Sequence, residues 1–95
     1  MIDWKEKFQN LRESAPIQCG GAHDRSAIHR IAETYGYYTY VDPWLLPIMQ
    51  PGDVLLLPDA KHGVQLKELH AEWGKNYIVL AASGASLLVQ LTKKK

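Results

Sequence analysis

Two residues of this chain have types and surroundings that allow covalent chemistry: Cys19 and His62. Cys19 is the only cysteine and is followed by Gly20 and Gly21, just ahead of a helical pattern. The thiolate is the nucleophilic form, and a helix N-terminus or a neighbouring imidazole populates it. Glycines beside it let backbone N–H groups approach a developing oxyanion closely. The plainer reading is a small buried apolar residue, because cysteine is among the most buried types. His62 lies in Leu57-Pro58-Asp59-Ala60-Lys61-His62-Gly63, between two strand candidates. Its ring can project from the sheet edge toward the helix in front, where a general base must stand to meet a nucleophile. A loop histidine with no role is the alternative.

The same side chains include zinc-compatible donors. Cys19 and His23 stand four apart, and His29, His62 and His70 are available. No pair has finger-type spacing, so neither a metal nor another cofactor is expected.

The elements that must position these residues follow from hydrophobic period. Trp4, Phe8 and Leu11 recur at helical spacing while Lys5, Glu6, Lys7, Gln9, Asn10 and Arg12 face outward. With Asp3 and Glu6 as a capping box, residues 3–13 form a short amphipathic helix that Ser14-Ala15-Pro16 ends. Ile17 to Gly21 reads as a turn bearing the cysteine. A second helix carries Ile28, Ile31, Ala32 and Tyr35 on one face and is capped by Gly36. Asp24 or Ser26 could cap its start, or it could begin as early as Cys19, giving a Cys-bearing turn and helix over 19–35.

Beyond Gly36 the pattern turns to strands, over residues 37–91. Candidates are 37–41, 54–57, 63–66, 77–81 and 87–91, with a turn or short helical stretch carrying Trp44, Leu45 and Leu46. The expected fold class is α+β: two N-terminal helices followed by a four- to five-stranded antiparallel sheet, in a single domain over 1–95. Residues 92–95 read as a frayed tail. Tyr35, Tyr37, Tyr38, Tyr40 and Trp44 form an aromatic cluster that either packs in the core or meets a partner.

Composition narrows the function classes. Apolar residues make up 46% and charged residues 22%, the balance of a folded protein with a packed core. Eleven Lys and Arg nearly cancel ten Asp and Glu, so no global field favours nucleic acid or an acidic membrane. No apolar run reaches the roughly 20 residues of a membrane span, and the N-terminus lacks a signal-peptide pattern. A cytoplasmic origin is expected, with incorporation into a virion or delivery by partner proteins as the route outward.

The order Cys19-Gly20-Gly21, helix, Gln50-Pro51-Gly52-Asp53-Val54-Leu55-Leu56-Leu57, then Lys61-His62-Gly63-Val64-Gln65-Leu66 resembles the NlpC-type papain-like cell-wall peptidases. The likeness covers roughly residues 17–91. It implies a papain-like fold, Cys19 as nucleophile, His62 as base, and hydrolysis of an amide bond in a cell-wall peptide. Gln18, Gly20 and Asn76 are the candidates for holding the oxyanion or orienting the base, with His70 and Glu72 as further substitutes for an orienter and Gln9 within reach from the first helix. The chain departs from the family pattern at two places. It has Gln18 where aspartate precedes the cysteine, and Val79 and Leu80 where a third catalytic polar residue falls. Those departures favour a second reading, a non-catalytic descendant serving as a structural or protein-binding module, for example a phage tail component. The partner is then peptidoglycan peptide or another protein of a larger assembly. Third, Gly52 to Pro58 followed by His62 resembles a cupin motif, which implies a small-molecule or metal binder.

Overall fold

The computed structural model describes residues 2–19 and 25–95. The first helix, α1, spans Trp4–Ser14. Asp3 is its N-cap, with the carboxylate accepting from the Lys5 and Glu6 backbone N–H groups at 3.1 and 3.4 Å. Ala15 then turns extended, as a residue before proline must. Phe8 is buried, with Trp4 and Leu11 packed beside it.

Two strands flank the second helix. β1 (Ile17–Gln18) precedes α2 (Arg25–Tyr35), and β2 (Tyr37–Thr39) follows it. A short α3 (Leu45–Ile48) leads to β3 (Val54–Leu57), then to a 3-10 turn (Ala60–His62), α4 (Val64–Trp73), β4 (Tyr77–Ser83) and β5 (Ser86–Leu91). Strand order across the sheet is β1-β4-β5-β3-β2.

The α+β character is as the sequence implies, but the sheet is mixed rather than antiparallel. β1 pairs with β4 and β2 pairs with β3 in parallel, while β3–β5 and β4–β5 are antiparallel. The connection from β2 to β3 crosses over through α3 instead of closing a hairpin, so both strands run the same way. The expected strand at 63–66 is instead the start of α4, because Leu66, Leu69 and Trp73 recur at helical spacing and all three are buried.

All four residues of β3 are buried, which requires cover on both faces of the sheet. Val54 and Leu56 point toward α2 and pack with Cys19, Ile28, Ala32, Ala81 and Leu88. Leu55 and Leu57 point the other way, into a larger cluster with Phe8, Leu46, Leu66, Leu69, Trp73, Leu87 and Val89. The period-two alternation of strands thus divides the core into two layers, α2 on one side and α1, α3 and α4 on the other.

The C-terminal lysines reach back onto the body. Thr92 donates its backbone N–H to the Asn76 carbonyl at 2.9 Å, and the Lys94 ammonium lies 5.9 Å from the Trp73 ring centroid. No helix among the described residues is long and apolar enough to cross a membrane.

Candidate functional site

Cys19 stands at the end of β1, and its backbone N–H donates to the Ala82 carbonyl at 2.9 Å, extending the β1–β4 ladder by one residue. Its side chain is only 6% exposed and belongs to the apolar layer beneath α2. Gly20 and the possible helix start at Asp24 fall outside the described residues; α2 is described from Arg25 onward.

Gln18 turns toward the end of α1. Its side-chain amide donates to the Arg12 and Glu13 carbonyls at 3.2 and 3.0 Å, closing the C-terminal end of α1. Asn76 lies in the turn before β4, bonded through its backbone to Trp73 and Thr92. β4 is seven residues long and Ala82 is near its far end, so Asn76 stands about 20 Å of strand away from Cys19. His70 belongs to that distant end as well. Its Nε2 is 2.7 Å from the Tyr77 hydroxyl, and the Trp4 ring meets it edge-on at 5.3 Å. Burial, reinforced by Lys7, Lys75 and Lys95, holds the His70 pKa below the ordinary imidazole value. Burial pushes the Tyr77 hydroxyl up to about 12, so it stays protonated beside His70.

His62 opens no strand. It ends the 3-10 turn after β3, on the α1 side of the sheet, with a side chain 72% exposed. Its Nδ1 lies 2.6 Å from the Asp59 carboxylate. The carboxylate beside His62 thus comes from Asp59, three positions before the histidine, and not from the strand that holds Val79 and Leu80. The turn is tied to the β4–β5 hairpin by the Lys61 N–H on the Ala85 carbonyl at 3.2 Å and the Ser86 hydroxyl on the Pro58 carbonyl at 3.2 Å.

These ties build a cleft of about 690 Å³ where the carboxyl ends of β3 and β4 meet α1. Ligand sites of open α/β sheets lie outside strand carboxyl ends, and this volume falls in the range that takes small molecules. One wall is a single face of α1, with Lys5, Phe8, Gln9 and Arg12 at helical spacing. The opposite wall is Pro58, Lys61 and His62, and residues 83–86 close the end. Cys19 and His62 thus leave the same end of the sheet, yet the thiol is packed under α2 while the imidazole faces the cleft on the α1 side. Among the described residues no group of three or more His, Cys, Asp and Glu could hold a metal. His29 is engaged by the Tyr37 hydroxyl at 3.1 Å, and α2 occupies positions where a cupin has strands.

Of the α1 wall, the sequence points only to Gln9 as within reach of the site. Lys5 and Arg12 read as the solvated face of an amphipathic helix, and only the placement of the hairpin and the 3-10 turn makes that face a wall.

No protein-family model, curated protein or solved structure matches this chain. The residues and their geometry carry the functional argument.

Proposed function

We propose that this chain is a non-catalytic binding module, related to the papain-like hydrolases by the ordered Cys19, Pro51-Gly52-Asp53 and His62 motif, which holds a ligand or partner segment in the cleft between α1 and the sheet end. The observation that carries this reading is the packing of Cys19 among Ile28, Ala32, Val54, Leu56, Ala81 and Leu88, on the α2 side of the sheet. A nucleophile needs access to its substrate, and Cys19 is nearly closed off from solvent in that layer. Peptidoglycan peptide, or a protein of a larger assembly such as a phage tail, is the partner class the motif suggests.

One observation favours a second reading, amide hydrolysis through Cys19 and His62. The Asp59–His62 pair supplies the base with the orienting carboxylate that a triad requires.

Purified peptidoglycan separates the two. The module reading expects co-sedimentation of the protein with no soluble fragment release, in wild type and Cys19→Ala alike. Fragment release by wild type that Cys19→Ala abolishes would establish the hydrolase.

A further inference from the structure

We infer that the cleft takes a small organic oxyanion, best a phosphate monoester, with its charged head held by Arg12 and Lys61, its apolar body over Phe8 and Pro58, and Lys5 adding to the field from the other rim. This rests on the cleft being the binding site, as proposed above, and names the chemistry of its occupant.

Charge makes the first argument. Lys5 and Arg12 sit seven residues apart on α1, about 10 Å along the axis and on one face, while Lys61 projects from the opposite wall. None of the described residues lining the cleft is acidic. Three carboxylates are adjacent in sequence to lining residues: Glu13 is bonded by the Gln9 amide at 2.8 Å, Asp59 lies 2.6 Å from His62, and Glu6 lines a different concavity of α1. Among the described residues no ion pair involves Lys5, Arg12 or Lys61. Three cations converging on one concavity raise the local concentration of anions, and the planar guanidinium can hold two oxygens of a phosphate at once. The chain as a whole is nearly neutral, so this is a local field rather than a general basic surface.

The shape of the wall gives the second argument. Phe8 is buried and stands between the two α1 cations on the same face, so an apolar floor separates charged rims. Inorganic phosphate fills only the rim, whereas an aryl or alkyl phosphate covers the floor too. The C-terminal carbonyls of α1 would repel an anion near Arg12, but the Gln18 amide occupies the Arg12 and Glu13 carbonyls and the Ala15 N–H shares the former.

Amide chemical shifts of the full chain, titrated with phenyl phosphate, inorganic phosphate, benzoate and phenol, test the inference. Phenyl phosphate should shift residues 5–12, 58–62 and 83–86 and bind at least tenfold more tightly than benzoate or inorganic phosphate, with phenol weakest. Arg12→Gln and Lys61→Gln should each weaken phenyl phosphate at least threefold while the unfolding midpoint stays put, and added salt should weaken it further. Phenol binding as tightly as phenyl phosphate, or phosphate binding indifferent to both substitutions, overturns the anion assignment and leaves the cleft a binding site. Failure of every probe to shift the cleft residues overturns the anion assignment and removes support from the cleft itself.

Discussion

Gly63 joins the turn that carries His62 to the start of α4, and replacing it with alanine gives a worked test of how α1 is held against the site. The residue is buried with φ +82°, a region an L side chain enters at about 1–2 kcal/mol. A Cβ there would also stand 2.5 Å from the Trp4 Cβ and 3.2 Å from its Cγ. The first of those atoms cannot rotate away, so α1 itself must move, and overpacking of this kind costs about 1–3 kcal/mol. The sum, about 2–5 kcal/mol, is a large share of the 5–15 kcal/mol typical of a small domain. Gly36→Ala is the control, because its φ is +71° yet a Cβ meets nothing within 4 Å, leaving only the backbone penalty. Urea unfolding followed by tryptophan fluorescence should show Gly63→Ala losing about 1–3 kcal/mol more than Gly36→Ala, and thermal unfolding should show its midpoint lower by about 4–8 °C for each kcal/mol. Equal losses in the two variants would refute the claim that Trp4 is pinned on Gly63.

Two more outcomes follow from the layer on the α1 side. Trp73 is buried and donates its indole N–H to the Leu46 carbonyl at 3.0 Å, so Trp73→Phe leaves that carbonyl unpaired and a gap behind it. A loss of about 2–4 kcal/mol in urea unfolding is expected, and a loss below about 1 kcal/mol would contradict it. His70, with its folded-state pKa lowered by burial and three lysines, binds fewer protons folded than unfolded. Stability is therefore complete above the unfolded value of about 6.5, falls as pH drops below it, and levels off below the folded pKa. The slope of stability between pH 7.5 and 5.5 should be shallower in His70→Phe, and an unchanged slope would remove His70 from the linkage.

Local signals made much of this architecture readable. The Asp3 cap and the Trp4, Phe8, Leu11 spacing define α1, and the unbroken apolar run Val54 to Leu57 marks a strand covered on both faces. Parallel pairing was not readable, because it depends on which strands meet across long separations. β1 is only two residues long and owes its existence to the β4 edge it joins. Reading Gly63 to Leu66 as a strand fails because the window stops before Leu69 and Trp73 reveal the helical period. At the site, His62 was legible as a loop histidine and Asp59 was legible as its neighbour in sequence. That a 3-10 turn would bring their side chains within 2.6 Å, and that the charged face of α1 would lie opposite, are tertiary facts.

The central claim is that Cys19 is a packing residue and the cleft a binding site. Alkylation of the native protein by iodoacetamide across pH 6 to 9, with the labelled residue located by mass spectrometry, tests it most directly. The account predicts that Cys19 reacts far more slowly than the same thiol in urea, at a rate set by opening of the α2 layer. Labelling of the native thiol faster than in the unfolded chain, persisting well below pH 8.5, would show an activated nucleophile and contradict the account.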